Sequence, residues 1–150
     1  MTKPKKKSAI DVPSNITISR HYDAIIIGTG PGGEGAAMGL SKQGKKVAVI
    51  ERAPEVGGGC THWGTIPSKA LRHSVSRIVE FKKSGFDLNS NVSEKITFQS
   101  ILKHTERVIK DQVSLRKGFY IRNNCPIYKG EASFITNKIL AIRNNANEVE

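Results

Sequence analysis

The sequence is poor in cysteine and in long apolar runs, and each shortage excludes a class of protein. Only Cys60 and Cys125 occur among 150 residues, so a fold held together by disulfide bonds is excluded in practice. No run approaches the roughly 18 apolar residues that would span a bilayer, so we expect no membrane segment. No apolar stretch follows the lysine-rich start, so we expect no secretory signal and a cytoplasmic location. The histidines and cysteines are scattered, and we therefore expect no metal site.

Acidic residues are also scarce, with 13 against 24 basic residues and a formal net charge of +11. Residues 1–20 hold five basic residues and one acidic residue, a net of +4, together with two prolines. Such a segment is too polar to form a core, so we expect residues 1–20 to be a disordered, solvated extension. A localisation signal or RNA-binding patch is the alternative. Elsewhere the basic residues lack interleaved aromatics, so we expect no nucleic-acid partner, and the positive field would suit phosphate-bearing cofactors.

Two buried strands with a helix between them open the folded part of the chain. The all-apolar centre of Tyr22–Ile27 predicts a parallel strand covered on both faces, and Lys46–Glu51 predicts a second buried strand. The helix between them has Pro31 in its first turn and runs to about Gln43, with Gly44 as a natural stop. Strand, helix and strand in this order predict a right-handed βαβ crossover in a parallel sheet.

Two further helices are predicted after this unit. One occupies about Thr61–Phe81 and is disturbed near its start by Pro67. A polar connection, Ser84–Ser93, leads to a longer helix at roughly Thr97–Asn123. The apolar residues of that helix predict one packed stripe: Ile101, Leu102, Val108, Ile109, Leu115 and Phe119.

Short strands are predicted in the last part of the chain. They cover Pro126–Tyr128, Ala132–Ile135 and Ile139–Ile142, and a turn around Asn137 joins the last two. Cys125 lies where the first of them begins and is interpreted as a packing residue. No closing strand follows, so the sheet is expected to be incomplete within these residues.

Residues 28–33 match the pattern G-x-G-x-x-G. Alone the pattern is weak in a chain with 14 glycines, but here a predicted strand precedes it and a predicted helix follows it. In that setting Gly28 permits the tight turn, Gly30 lets the backbone approach a pyrophosphate, and Gly33 lets helix and strand touch. The plain alternative is an ordinary turn.

Glu51 ends the second strand, 23 positions after Gly28. A carboxylate there can accept hydrogen bonds from an adenosine ribose and would repel a 2′-phosphate. The alternative is a solvated charge at the end of a strand. Together with the glycine loop, Glu51 predicts a dinucleotide site, but these features do not distinguish FAD from NAD.

Residues 57–69 read G-G-G-C-T-H-W-G-T-I-P-S-K. This segment resembles the pyridine nucleotide–disulfide oxidoreductases, the family of lipoamide dehydrogenase and glutathione reductase. That family carries G-G-x-C, four residues, a second cysteine and x-P-S-K immediately after an FAD-binding βαβ unit. The resemblance covers about Tyr22–Ile142.

The resemblance implies an α/β fold with a Rossmann-like FAD-binding βαβ unit, a parallel sheet, long helices and a small antiparallel β meander. It implies that residues 21–150 form the amino-terminal part of an incomplete FAD-binding domain. The NAD(P)-binding and dimerisation domains of the family are absent from these 150 residues, and a homo-oligomer is expected of the full-length protein.

Thr65 stands where the family has the second cysteine of its redox pair. A threonine hydroxyl cannot form a disulfide, so the path of electrons from flavin to disulfide to an external substrate is missing. Cys60 remains at the outer position without a resolving partner. The favoured interpretation of Cys60 is a small residue whose backbone borders the cofactor.

One branch of the family, the soluble FAD-containing transhydrogenases, carries the segment 57–69 residue for residue. This resemblance implies hydride transfer between NADPH and NAD, or NADH and NADP, through FAD. No thiol is needed, because the cofactors carry the reaction. The alternatives are an atypical single-cysteine disulfide reductase and a non-catalytic FAD-binding or basic interaction module. The 150 residues alone are expected to be inactive.

The resemblance also implies individual roles. Lys69 would lie beside the flavin ring and stabilise negative charge on reduction, Thr61 would donate to the phosphates, and Ala132 would meet the adenine. His62 and Trp63 are interpreted as helix-packing residues without a catalytic role. The predicted cofactor-binding residues are Gly28, Gly30, Pro31, Gly32, Gly33, Glu51, Arg52, Ala53, Pro54, Glu55, Val56, Gly57, Gly58, Gly59, Cys60, Thr61, Lys69 and Ala132.

Overall fold

The computed structural model describes residues 20–85 and 95–143. The predictions for residues 1–19, most of the connection Ser84–Ser93, and residues 144–150 lie outside the described residues. The elements in chain order are β1 (Ala24–Ile27), α1 (Pro31–Lys42), β2 (Val47–Glu51), α2 (Gly58–His62), α3 (Thr65–Lys83), α4 (Phe98–Arg122), β3 (Ile127–Lys129), β4 (Glu131–Thr136) and β5 (Ile139–Arg143).

A parallel three-stranded sheet in the order β1-β2-β3 forms the centre of the described structure. β1 pairs with β2 from Ala24↔Val47 to Ile27↔Ile50, and β2 pairs with β3. The strand predicted at Pro126–Tyr128 is observed as β3 and belongs to the parallel sheet, because α4 carries the chain back to the end of the sheet at which β2 begins. The antiparallel part is the two-stranded hairpin β4–β5.

The predicted helix between the first two strands is confirmed as α1. Pro31 is at its start, where the missing N–H costs no hydrogen bond. Gln43 caps its end, and Gly44 follows with φ +75°. That left-handed conformation is the one in which glycine ends helices, as the sequence predicted.

The single helix predicted over Thr61–Phe81 is wrong, because two helices occupy this region. α2 ends at His62, and the N–H groups of Trp63 and Gly64 both donate to the Gly59 carbonyl, at 3.0 and 2.9 Å. Pro67 does not cause the break. It lies in the first turn of α3, where a helix tolerates proline.

The stripe predicted on α4 is wrong at Leu115. Leu115 is 48% exposed, whereas Thr105, Val113 and Tyr120 are buried. A strict seven-residue spacing drifts by about 20° per heptad on a straight α-helix, so Leu115 has rotated away from the face that Ile101 shares. The ends of α4 follow local chemistry, with the Thr97 hydroxyl accepting from Ser100 N–H at 3.2 Å.

The core lies between the sheet and the pair α1 and α4. Its buried members are Ala37, Val47, Val49, Val56, Val113, Tyr120 and Cys125. The expectation that β1 is covered on both faces is wrong for the described structure, because Ile25 is 37% and Ile27 53% exposed. The hairpin β4–β5 contacts β2, whose Ala48 and Ile50 are buried, and leaves the outer face of β1 open.

Candidate functional site

Three loops meet at the carboxyl-terminal edge of the parallel sheet. The Gly28 N–H donates to the Ile50 carbonyl at 2.7 Å, which fixes the glycine loop beside the end of β2. The Gly130 N–H donates to the Glu51 carbonyl at 3.0 Å, which brings the end of β3 to the same place. Ligands of open α/β sheets bind outside the carboxyl ends of the strands, so this edge is the candidate site.

The glycine loop has the packing that the sequence predicted for it. A Cβ atom on Gly33 would lie 2.1 Å from the Gly28 carbonyl oxygen and 3.3 Å from Ile26, so only glycine lets α1 approach β1 this closely. A Cβ atom on Gly30 would meet no atom within 4 Å. The backbone at the start of α1 is therefore open to approach, which fits a pyrophosphate bound at a helix amino terminus.

Glu51 is buried, with 6% of its surface exposed, and its carboxylate is hydrogen-bonded on both oxygens. Oε2 accepts from the Thr29 N–H at 2.8 Å and from the Thr29 hydroxyl, and Oε1 accepts from the Ala53 N–H at 2.8 Å. Burial alone would raise the pKa of Glu51, but the Thr29 and Ala53 hydrogen bonds and the charge of Lys129 hold it below its ordinary value. Glu51 is therefore a buried anion at neutral pH, not a solvated strand-end charge.

Thr29 is a residue of this site that the sequence prediction missed. It is 1% exposed, and its hydroxyl donates to Glu51 and accepts from the Gly57 N–H at 3.0 Å. Thr29 occupies the first free position of G-x-G-x-x-G, where the pattern specifies no residue. One signal could have indicated this role of Thr29. Glu51 ends the next strand, and a carboxylate that is buried there needs hydrogen-bond donors nearby.

Residues 52–57 form a loop, called here the 52–57 loop, that three other elements hold in place. Lys129 of β3 donates to the carbonyls of Ala53 and Pro54 at 3.0 and 2.9 Å. His62 of α2 donates from Nε2 to the Val56 carbonyl at 2.9 Å. An ion pair of 2.6 Å joins Glu55 to Lys117 of α4, and this contact lowers the pKa of Glu55. The loop is thus ordered by the protein itself.

The start of α2 packs directly on the glycine loop. A Cβ atom on Gly58 would lie 2.8 Å from the Gly30 Cα atom, and Gly57 has φ +117°. Thr61 is fully buried, and its hydroxyl donates to the Gly57 carbonyl at 3.0 Å. The predicted donation from Thr61 to phosphate would require this internal hydrogen bond to be given up.

The structure brings Thr65 next to Cys60. The Thr65 hydroxyl lies 3.8 Å from the Cys60 sulfur, across the break between α2 and α3. Cys125 is buried in the core, and its sulfur lies 2.7 Å from the Ser41 hydroxyl. The interpretation of Cys125 as a packing residue is confirmed, although β3 begins only at Ile127.

Two other predicted residues lie on the helices and the hairpin around the site. Lys69 is exposed on α3, one helical turn after Thr65. Ala132 is half-buried on β4 and pairs with Ile142. Trp63 is 79% exposed, so its interpretation as a helix-packing residue is wrong, because the chain turns between α2 and α3 at this position.

A buried polar group lies behind the glycine loop, between α1 and α4. Arg116 of α4 donates to Glu34, in the first turn of α1, at 2.6 Å, and both side chains are 16% exposed. Burial and the nearby Glu34 raise the pKa of Tyr120 to about 12. Arg116 therefore neutralises a carboxylate beside the helix start at which an anion would bind.

Within residues 20–85 and 95–143, no group of three or more His, Cys, Asp or Glu residues has the geometry to hold a metal ion. None of the helices in this part of the chain is long and apolar enough to cross a membrane.

Comparison with known proteins identifies the family. Residues 22–137 match the family described as pyridine nucleotide-disulphide oxidoreductase. The chain belongs to this family. The predicted family and the α/β fold with a Rossmann-like dinucleotide-binding unit are therefore confirmed.

Relatives in this oxidoreductase family include bacterial transhydrogenases. The soluble pyridine nucleotide transhydrogenase of Aliivibrio fischeri is 55% identical over 132 residues, which is 88% of this chain and 28% of the relative. That of Yersinia pestis (strain Pestoides F) is 58% identical over 123 residues, 82% of this chain and 26% of the relative. The chain thus spans about a quarter of the length of these relatives.

Solved structures agree with the fold. The Cu(II) complex of the HOCl-induced flavoprotein disulfide reductase RclA from Escherichia coli has a TM-score of 0.70 and 25% identity, covering 87% of this chain and 26% of that one. A second RclA structure has a TM-score of 0.65 and the same identity, covering 84% of this chain and 25% of that one.

Proposed function

We propose that this chain is the FAD-holding part of a flavoprotein that transfers a hydride between NADPH and NAD, or NADH and NADP, without a redox disulfide. When bound, FAD supplies a ring that accepts a hydride from one nicotinamide and returns it to another. The relatives named as soluble pyridine nucleotide transhydrogenases support the proposal.

The observation that carries it is the pair Cys60 and Thr65. Family members that reduce disulfides need two sulfurs in this place, and here the Cys60 sulfur faces a hydroxyl at 3.8 Å. Among the described residues the second thiol is Cys125, which is buried in the core beside Ser41. Among the described residues Cys60 therefore has no thiol partner nearby, and a disulfide route out of the flavin lacks its second sulfur.

The residues at the sheet edge fit a dinucleotide. We assign the pyrophosphate to the glycine loop, because Gly30 is open to approach and the free N–H groups of α1 favour an anion. We assign the adenosine ribose to Glu51, whose Oε1 has one protein donor and can accept another. The 52–57 loop would border the adenosine, and Lys69 would hold a positive charge near the flavin ring.

The proposal extends to partners and location. Pyridine nucleotides are the substrates, the full-length protein forms a homo-oligomer, and its location is the cytoplasm. Neither nucleic acid nor a membrane is a partner.

The test is a hydride-exchange assay on the full-length protein that contains this chain, with NADPH as donor and thio-NAD as acceptor. We expect bound flavin and exchange that does not require an added disulfide. Turnover of a disulfide substrate without nicotinamide exchange would instead support a single-cysteine disulfide reductase. A colourless, folded protein that binds nucleic acid tightly would support a basic interaction module.

A further inference from the structure

Thr29 contacts the two loops that would hold the two ends of the cofactor's ADP half. It belongs to the glycine loop, which we assign to the pyrophosphate. Its hydroxyl accepts from Gly57, the last residue of the 52–57 loop, at 3.0 Å and donates to Glu51, which we assign to the ribose. We propose that Thr29 is a positioning residue that makes the pyrophosphate and adenosine parts of the FAD site form as one unit before the cofactor binds.

The connections of Thr29 are buried, which makes them costly to lose. Thr29 is 1% and Glu51 6% exposed, and Gly57 is also buried. The hydroxyl has one hydrogen to donate and lone pairs to accept, and both functions are used here. Without it the Gly57 N–H would have no partner in a dry site, and Glu51 would lose one of its three donors.

The same carboxylate extends the connection to the other side of the 52–57 loop. Its Oε1 accepts from the Ala53 N–H at 2.8 Å, so one anion ties the beginning of that loop to the glycine loop. Together, the bonded pair Thr29 and Glu51 connects both ends of the 52–57 loop to the glycine loop, so the positions of the two loops depend on each other. A ligand that needs both loops therefore pays less to order them, which is the advantage of preorganisation.

This inference rests on the proposed function for the identity of the ligand, but the coupling of the two loops does not. The decisive variants are Thr29→Val, which keeps the shape and removes the hydroxyl, and Thr29→Ser, which keeps the hydroxyl. Thr105→Val is the matched control, because Thr105 is 7% exposed and its hydroxyl donates only within α4, to Ile101 at 3.1 Å.

The first measurement is amide hydrogen exchange without FAD. Thr29→Val should speed exchange of the Gly57 amide by roughly tenfold or more, because this amide loses its acceptor. In Thr29→Ser the exchange rate of the Gly57 amide should stay within about threefold of the rate in the parent protein. Thr105→Val should leave that rate unchanged.

The second measurement is the affinity for FAD and the pH at which acid releases the cofactor. The Kd for FAD should rise roughly tenfold or more in Thr29→Val and recover in Thr29→Ser. Acid release of FAD should move to higher pH in Thr29→Val, since the hydroxyl is the largest contributor that lowers the pKa of Glu51. Lys129 from β3 faces the same carboxylate, and Tyr120 from α4 lies within range of its charge. In a protein that already carries Glu51→Gln, adding Thr29→Val should raise the Kd for FAD much less than it does in the parent protein, because the two residues share one hydrogen-bond network.

Each outcome separates the two ideas. The coupling of the two loops is overturned if the parent protein binds FAD and Thr29→Val binds it equally well. It is also overturned if the Gly57 amide of Thr29→Val exchanges at the rate of the parent protein. If Thr29→Ser is as impaired as Thr29→Val, the hydroxyl is not responsible and the inference fails. If the parent protein binds no FAD, the proposed function fails, and the Gly57 exchange rates alone decide about Thr29.

Discussion

The side chain at position 65 carries a hydroxyl and a methyl group where a disulfide reductase of this family carries a thiol. Because the Thr65 oxygen and the Cys60 sulfur lie 3.8 Å apart, the backbone on either side of the break between α2 and α3 already faces the two positions toward each other. A redox pair is therefore missing here because of the chemistry of the side chain at position 65 and not because positions 60 and 65 lie apart.

Thr65→Cys should form a disulfide with Cys60 under oxidising conditions. The small shift needed to bring two sulfurs to about 2.05 Å is available at the end of a five-residue helix. After oxidation and denaturation, thiol titration should find one free thiol, that of Cys125, instead of the two of the parent chain. In the complete flavoprotein the same variant should lose much of its nicotinamide exchange.

Thr65→Ser is the control, since it keeps two free thiols under the same conditions. Three free thiols in oxidised Thr65→Cys would show that positions 60 and 65 do not face each other as described.

Gly33→Ala should destabilise the protein by about 3 kcal/mol, because the new Cβ would lie 2.1 Å from the Gly28 carbonyl oxygen and neither backbone can yield cheaply. Gly35→Ala, on the same helix, meets no atom within 4 Å and should stabilise by up to about 1 kcal/mol. Urea unfolding of the two variants measures both effects. Equal and small changes would mean that α1 does not touch β1 at Gly33.

At the scale of elements, one ion pair, that of Arg116 and Glu34, joins α1 to α4 beside their shared apolar core. Arg116 and Glu34 are each 16% exposed, so removal of the cation leaves a carboxylate that is largely shielded from water. Arg116→Met should lower the free energy of unfolding by about 2–3 kcal/mol. The pair Lys117 and Glu55 is about half exposed, and Lys117→Met should cost less than about 1 kcal/mol.

Urea unfolding at neutral pH compares the Arg116→Met and Lys117→Met variants directly. A loss for Lys117→Met as large as that for Arg116→Met would contradict the assignment of the α1–α4 contact to Arg116.

The elements that the sequence predicted best are those whose signals are local. Proline at the start of α1 and Gly44 after it act within a few residues, and both ends of that helix were predicted correctly. The break between α2 and α3 was missed, because it depends on Gly64 folding back onto Gly59 and not on Pro67. The partner of β3 was missed for a similar reason, since pairing with β2 depends on where a 25-residue helix delivers the chain.

The candidate site shows the same division. The glycine loop and Glu51 were predicted because their residue types and spacing carry the chemistry themselves. Thr29 was missed, because its role depends on Gly57, 28 positions away along the chain, and a hydroxyl in a turn has no pattern of its own. Lys129 was missed in the same way, since its two carbonyl partners lie on the 52–57 loop.

At the scale of the whole molecule, Glu51 links stability to pH. Its folded pKa lies below its ordinary value of 4.5, so its ionised form stabilises the fold above that pH, and this contribution is lost as pH falls through the folded pKa. The free energy of unfolding, measured with urea, should therefore fall more between about pH 5 and about pH 3 for the parent protein than for Glu51→Gln. Glu55→Gln is the control, because Glu55 is half exposed and should change the acid slope less. If the free energy of unfolding falls with pH equally for the parent protein and for Glu51→Gln, this role of Glu51 is contradicted.

The open face of β1 has a consequence for the behaviour of the chain in solution. In the described part of the molecule β1 is an edge strand, and Ile25 and Ile27 stand exposed along it. Two copies meeting at this edge would gain ladder hydrogen bonds and apolar contact at once. What opposes their meeting is mutual repulsion between bodies of net charge +11, and concentrated salt shortens the range of that repulsion to about 3 Å. High ionic strength is accordingly the condition under which these molecules should begin to aggregate, strand against strand.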